Sequence, residues 1–192
     1  MNKLEGDVPQ ELGKLENLEI LYFHSNDLGG GSDNSSLSFL TALTNCSLLK
    51  KLNFASCLFA GNLPASIGAL SKEFYYFNLL NNRITGEIPG SIGNLSSLVH
   101  LTLWGNFLDG RIPTTFGKLQ QLQRLDLGTN GLSGPIPEDM GNMDNLGLLD
   151  VSDNLISGSI PSTLGNLSEL RYLCLETAYQ ESFPSNSPDV LA

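Results

Sequence analysis

Basic residues are scarce in this chain of 192 amino acids. Ten Lys and Arg side chains stand against 20 Asp and Glu side chains, so the formal net charge is −10 at pH 7. Nucleic acids and anionic membrane surfaces are bound through basic patches. The charge balance therefore argues against nucleic-acid binding and against membrane contact by this segment, and it leaves a basic partner open.

The chain also has few cysteines and no long apolar run. Cys46, Cys57 and Cys174 are odd in number and have no paired spacing, which predicts neither a disulfide framework nor a zinc site. No run of about 18 apolar residues occurs, so we expect no transmembrane segment. The repeat pattern described below already holds at Asn2, so we expect no signal peptide in this chain. No motif indicates a cofactor or a metal.

The chain has one pattern in abundance. Residues 98–119 read LVHLTLWGNFLDGRIPTTFGKL and follow LxxLxLxxNxLxGxIPxxLGxL. The Asn position of this pattern recurs, with its last four intervals of 24 residues each, at Asn2, Asn26, Cys57, Asn82, Asn106, Asn130, Asn154 and Ala178. A period of this length with this consensus is typical of leucine-rich repeats, which stack because no single unit can bury its apolar face.

The repeats predict an α/β solenoid with plant-type 24-residue units over residues 1–178, without Cys caps, and an irregular tail over 179–192. We expect about seven parallel strands on the concave face and short helical turns on the convex side. The strands should cover the LxL segments Leu21–Phe23, Leu52–Phe54, Phe77–Leu79, Leu101–Leu103, Leu125–Leu127, Leu149–Val151 and Leu173–Leu175. Between Asn26 and Cys57 seven extra residues predict a glycine-rich loop and a helical insertion near residues 36–47.

The Asn position should be structural. A buried amide both donates and accepts, so we expect each Asn to bond the turn of its own repeat and that of the next one. Cys57 occupies this position in one repeat and is interpreted as a buried structural thiol. The GxIP segment that follows is interpreted as a turn that leads into the helical stretch.

With the LSFLTALTNCS insertion, residues 1–177 resemble part of the ectodomain of plant leucine-rich-repeat receptor-like kinases. The similarity is closest to the subfamily of the flagellin and elongation-factor receptors of innate immunity. The resemblance implies an extracellular or cell-surface parent protein that binds a peptide or protein ligand, with a co-receptor, in defence or development signalling. It also implies a kinase outside this chain. The chain itself would then be a fragment, a truncated relative or a small soluble protein of the same lineage.

The register assigns a binding surface to the concave face. A cluster of aromatic, basic and amide side chains with one leucine, over three neighbouring repeats, resembles a binding hot spot: Tyr76, Asn78, Leu80, Arg83, His100, Trp104, Phe107 and Arg124. The alternative is that Trp104 merely packs on its neighbours.

A second cluster is acidic and comprises Asp126, Asp150 and Asp153. Asp126 and Asp150 hold the same position on adjacent strands, about 5 Å apart, and need a neutralising partner: Arg124, a basic group of a peptide, or a cation. The alternative is a solvated acidic patch. A similar spacing serves retaining glycosidases, but an open sheet has no pocket to desolvate one carboxylate, so we do not expect an enzyme.

Four N-x-[ST] sequons begin at Asn34, Asn45, Asn94 and Asn166. The last three share one repeat position, which should place glycans on the convex side. The alternative is that an Asn-rich consensus creates sequons without use.

The sequence thus predicts a non-enzymatic recognition module. Two alternatives are a free-standing inhibitor of a cell-wall-degrading enzyme and a structural spacer within a longer receptor solenoid. The first repeat begins at its Asn position, so we also expect self-association through an uncapped end or fraying of residues 1–17.

Overall fold

A computed structural model of the chain describes residues 2–30 and 37–176. These residues form fourteen short strands: β1 (Glu5–Gly6), β2 (Ile20–Tyr22), β3 (Asp27–Leu28), β4 (Lys51–Asn53), β5 (Ala60–Asn62), β6 (Tyr76–Asn78), β7 (Arg83–Glu87), β8 (His100–Thr102), β9 (Phe107–Asp109), β10 (Arg124–Asp126), β11 (Ser133–Gly134), β12 (Leu148–Asp150), β13 (Leu155–Ile156) and β14 (Tyr172–Cys174).

Seven of these strands form one parallel sheet, in the order β14-β12-β10-β8-β6-β4-β2. We call this the main sheet, and its side facing away from the core the concave face. In β2, β4, β6, β8, β10 and β12 the central residue, such as Leu101 or Leu125, is buried in the core, while its two neighbours lie on the other face. In β14 the central residue, Leu173, is 41% exposed. The predicted strand in each of seven repeats is confirmed. Each begins one residue earlier than its LxL segment, because the ladder is centred on the first Leu of LxL.

The opposite side of each repeat carries 3₁₀ turns, as predicted. They cover Gln10–Lys14, Leu43–Asn45, Ala65–Ala69, Gly90–Asn94, Thr114–Lys118, Glu138–Asn142 and Ser162–Asn166. Proline precedes six of them and presets φ between −61° and −72° for entry into the turn. The turns stack closely, since a Cβ on Gly93 would collide with the backbone of Thr115 in the next repeat.

The insertion is helical but shorter than expected. A single α-turn, α1 (Phe39–Ala42), leads into the 3₁₀ turn Leu43–Asn45, and Phe39, Leu40 and Leu43 are buried. Phe39 packs against Phe54, with ring centroids 5.3 Å apart. The remainder of the predicted loop at 31–36, including Asn34, and the predicted tail at 179–192 lie outside the described residues.

A set of smaller parallel sheets was not predicted. The strands that follow the Asn position pair as β1-β3, β5-β7-β9 and β11-β13. The interpretation of GxIP as a turn that leads into the helical stretch is confirmed, since Gly86 has a φ of 74° and Pro89 precedes the 3₁₀ turn Gly90–Asn94. The pairing was not foreseen: Gly86 and Glu87 also belong to β7 and pair with Leu108 and Asp109. Pairing is offset by two residues between repeats, so Thr85 rather than Arg83 lies opposite Phe107.

The buried Asn amides tie the repeats together. Asn106 donates from Nδ2 to Leu103 O in its own repeat and to Leu79 O in the preceding repeat, both at 3.0 Å, and its Oδ1 accepts from the Ile84 N–H at 3.1 Å. Asn82, Asn130 and Asn154 repeat this arrangement. The expected bond to the following repeat is wrong in direction, because the amide of Asn106 bonds the backbone of the preceding repeat, at Leu79 and Ile84.

Cys57 is a partial substitute in this ladder. Its thiol is buried and donates to Phe23 O of the preceding repeat at 3.3 Å. Burial raises the pKa of the Cys57 thiol, against the opposing effect of backbone hydrogen bonds from Asn26 and Ser25. The prediction of a buried structural thiol is confirmed.

Asn106→Ala should destabilise the chain strongly, because it leaves the buried Ile84 N–H without a partner and removes one of the two Asn hydrogen bonds at Leu79 O and at Leu103 O. We expect the free energy of unfolding in urea to fall by about 3 kcal/mol or more. Asn106→Cys, which copies Cys57, should cost less, and the exposed Gln120→Ala serves as the control. Equal stabilities for the Ala and Cys variants would contradict a hydrogen-bonding role.

Candidate functional site on the concave face

The centre of the concave face is aromatic and basic. Tyr76, His100 and Arg124 lie side by side at the start of β6, β8 and β10. The rings of Tyr76 and His100 are 5.8 Å apart at 55°, and the Asn78 amide donates to the Tyr76 hydroxyl at 3.3 Å. All four side chains are half-buried, so they are held in place and still reach solvent.

The environment of His100 favours the neutral form of its ring. Burial lowers its pKa first, and the positive charges of Arg124 and Lys51 lower it further. His100 therefore offers one donor and one acceptor rather than a charge.

The indole of Trp104, which follows β8, lies over Gly128 of the next repeat. A Cβ on Gly128 would lie 2.7 Å from Trp104 Cδ1 and 3.0 Å from both Trp104 Nε1 and Asp150 Oδ1. The indole therefore occupies the space that the missing side chain of Gly128 leaves free, beside the carboxylate of Asp150. It packs on its neighbours and remains half-exposed.

The structure divides the predicted surface in two. Tyr76, Asn78, His100 and Arg124 lie in the main sheet, and Leu80 and Trp104 directly follow its strands. Arg83 and Phe107 instead open strands β7 and β9 of a smaller sheet. Both are exposed, Phe107 to 63%, and they form a separate surface beside the concave face.

The acidic cluster divides in the same way. Asp126 and Asp150 are direct register partners, as predicted, whereas Asp153 follows its strand and lines a groove with Phe107 and Gly131. The expectation of two open carboxylates was wrong for Asp126, which is 5% exposed. The flanking strands β8 and β12 and the Arg124 side chain cover it.

The environment of Asp126 favours its neutral form. Burial raises the pKa of its carboxyl, and the charge of Asp150 raises it further; Arg124, whose Nη2 donates to Asp126 Oδ2 at 3.3 Å, acts in the opposite direction. The other oxygen, Asp126 Oδ1, is buried and has no hydrogen-bond partner among the described residues.

Sequence reasoning missed a groove at the beginning of the strands. His100, Arg124, Arg171, Tyr172 and Glu169 line a cavity of about 490 Å³. Gly147 also lines it. The sequence feature that marks this groove is the glycine at position 147, and an analysis of apolar periodicity does not consider missing side chains.

The three described sequons lie away from this face. Asn45, Asn94 and Asn166 are each the last residue of a 3₁₀ turn and are exposed. Within residues 2–30 and 37–176, no three His, Cys, Asp or Glu side chains come together to hold a metal ion. No helix in these ranges has the length and hydropathy needed to cross a bilayer.

A solenoid of stacked, Asn-linked repeats with polar side chains across a parallel sheet defines a class of repeat protein. The sequence model of the leucine-rich repeat region matches residues 32–188, and the chain belongs to this family.

Two plant receptor kinases are among the curated relatives. The chain is 43% identical over 90 residues to the LRR receptor-like serine/threonine-protein kinase EFR of Arabidopsis thaliana, which covers 47% of this chain. It is 41% identical over 91 residues to the receptor kinase-like protein Xa21 of Oryza sativa subsp. japonica, again over 47% of the chain. Each match spans 9% of the relative's length. The resemblance to plant leucine-rich-repeat receptor kinases is confirmed.

Solved structures of plant receptors share the fold over most of the chain. The Arabidopsis receptor kinase HAESA, in complex with the peptide hormone IDA and the co-receptor SERK1, superposes with a TM-score of 0.81 at 31% identity. The match covers 91% of this chain and 28% of that one. The PEPR1–AtPEP1 complex gives a TM-score of 0.81 at 28% identity over 92% of this chain and 24% of that one.

Asp126→Asn should stabilise the chain at neutral pH. Because the folded-state pKa is raised, the native state binds more protons than the unfolded state, and stability falls as pH rises from about 4 through the folded pKa. Asn keeps the shape without the charge, as Asn78 does at the same position. We expect a Tm increase of at least about 2 °C at pH 7 that shrinks towards pH 4. Asp109→Asn, at an exposed site, should show neither effect.

Gly128→Ala should displace the indole of Trp104, because the added methyl group would occupy its position. Trp104 is the single tryptophan, so its emission should shift to longer wavelength and acrylamide quenching should increase. Gly147→Ala, where a Cβ meets nothing closer than 3.5 Å, is the matched control. An unchanged spectrum in Gly128→Ala would show that Trp104 does not occupy this space.

Proposed function

We propose that this chain is a non-enzymatic recognition module of an extracellular, receptor-like protein and that it binds a peptide or protein through the concave face. The observation that carries the proposal is the row formed by Tyr76, His100 and Arg124, with Trp104 beside it. These side chains are held by register and ring contacts and remain partly open to solvent. Partly buried aromatic and Arg side chains are the residues that dominate binding energy at protein interfaces.

The relatives support this proposal. The HAESA structure contains a peptide hormone and a co-receptor, and RGFR1, a plant peptide hormone receptor solved with RGF2, superposes with a TM-score of 0.70 at 29% identity over 92% of this chain. We extend peptide recognition and a role for a co-receptor from those proteins to this one. Defence or development signalling is the corresponding biological setting.

The sequons fit the same arrangement. Glycans at Asn45, Asn94 and Asn166 would project from the 3₁₀ turns, on the side of each repeat opposite the main sheet. They would leave the concave face free for a ligand and would restrict partners on the other side.

The proposal is tested by selecting binders from a displayed library of random 12-residue peptides against the purified 192-residue chain. Enriched peptides should lose at least about tenfold in affinity for Trp104→Ala or His100→Ala, because truncated hot-spot residues cost about 1.4 kcal/mol or more. Arg83→Ala, in the smaller sheet, should cost less. Lys118→Ala, in a 3₁₀ turn, is the control.

Peptides that bind the Trp104 and His100 variants as tightly as the native chain would place the binding surface elsewhere. A dominant effect of Arg83→Ala would assign binding to the smaller sheet formed by β5, β7 and β9, and would equally overturn the proposal.

A further inference from the structure

We propose that Asp126, Asp150 and Trp104 form a subsite for a cationic side chain, the guanidinium of Arg or the ammonium of Lys in a bound peptide. This cation subsite deepens the proposed function, on which it rests for the peptide nature of the ligand. It lies on the concave face, next to the aromatic and basic row of Tyr76, His100 and Arg124.

The carboxylate of Asp150 carries a negative charge that no described cation compensates. Asp126 and Asp150 are register partners on adjacent parallel strands, and carboxylates this close repel one another. Arg124 pairs with Asp126. No Lys or Arg pairs with Asp150 within the part of the chain that the structure describes. Arg124 lies at Asp126, whose environment favours the neutral form, so the carboxylate left without a cation is that of Asp150.

The second argument is the unpartnered oxygen of Asp126. Its Oδ2 is held by Arg124, and its Oδ1 is buried without a hydrogen bond among the described residues. The backbone of Gly128 also favours the charged form of this carboxyl, although it completes no hydrogen bond to Oδ1. A buried charged oxygen without a partner is costly, and a cation above Asp150 would reduce that cost through its field.

The third argument is the fixed orientation of Asp150. Its Oδ1 accepts from both the backbone N–H and the hydroxyl of Ser152, at 2.9 and 2.5 Å. These two hydrogen bonds to one oxygen hold the carboxylate in position and leave Oδ2 for a ligand. A preorganised acceptor of this kind loses little entropy when a charged donor binds.

Trp104 completes the subsite. The same point above Gly128 is 3.0 Å from Trp104 Nε1 and 3.0 Å from Asp150 Oδ1, so the half-exposed indole stands directly beside the carboxylate. An indole attracts a cation to its ring face and offers an apolar wall to the methylene stem of Lys or Arg. The combination of an aromatic wall and a fixed carboxylate favours an organic cation.

Because Trp104 is the single tryptophan, its fluorescence reports on the subsite without a label. We would titrate the purified chain with N-acetyl-L-arginine amide and, in parallel, with N-acetyl-L-citrulline amide, which has the same shape and no charge. The arginine probe should give a saturable fluorescence change, and the citrulline probe should bind roughly tenfold more weakly or not at all. Equal responses to the two probes would overturn the proposal.

Charge-neutral variants locate the response. Asp150→Asn should weaken the arginine probe by roughly threefold to tenfold, and Asp126→Asn should weaken it by a smaller factor, since its charge acts from beneath the surface. Both variants retain the shape of the side chain. Asp109→Asn removes the same charge from β9 and should leave the affinity unchanged. An unchanged affinity in Asp150→Asn would overturn the proposal.

The peptides selected on the native chain separate this inference from the function on which it rests. A preference for Lys or Arg that disappears in Asp150→Asn, while Trp104→Ala weakens binding as a whole, supports both. Peptides that need Trp104 but gain nothing from a basic residue would overturn the subsite and leave the recognition function standing. A subsite that binds the arginine probe, without any selected peptide that needs the concave face, would overturn the recognition function instead.

Discussion

The fold depends on one buried contact that recurs in each regular repeat, the hydrogen bonds of an Asn amide to the backbone of its own repeat and of the preceding one. Where each main-sheet strand ends, carbonyl and N–H groups turn inward without a strand partner, and burying them unpaired would cost several kcal/mol per repeat. The Asn side chain has the two donors and the acceptor that this turn requires. Because the same amide reaches across to the neighbour, closing one turn also positions the next repeat, and the period of the sequence becomes the period of the structure.

A fixed period gives each outward position a defined set of neighbours, and the candidate site consists of departures from the average repeat. Gly128 replaces a side chain and makes room for Trp104. Asp126 stands where two other repeats have Asn53 and Asn78, whose amide oxygens accept from the backbone two residues later. The change from amide to carboxylate adds a charge that Arg124 only partly compensates. Asp126 therefore lowers the stability of the fold at this position, as is expected where a surface is shaped for a ligand.

Most of the main sheet could be predicted from the sequence, because the leucine positions and the Asn column fix both strand positions and register. The pairing of Asp126 with Asp150 and the row of Tyr76, His100 and Arg124 follow from that register alone. The smaller sheets could not be predicted, since their two-residue offset between repeats leaves no mark in the apolar pattern. Arg83 and Phe107 belong to one of these smaller sheets, so they lie beside the concave face and not on it. The burial of Asp126 also escaped prediction, because the apolar pattern of a repeat does not report how flanking strands and the Arg124 side chain enclose an outward position.

The account is tested most directly by native-state hydrogen exchange at the amides of Ile84, Leu108 and Leu132. Each donates to the Oδ1 atom of the Asn in the following repeat, at 2.9–3.1 Å. If the Asn amides join the repeats into one cooperative unit, these three amides should be protected to within about tenfold of main-sheet amides such as Leu103, because all of them open in the same event. Exchange at rates typical of exposed loops would contradict the account: the repeats would then be joined by the main-sheet hydrogen bonds and apolar packing without a contribution from the Asn amides.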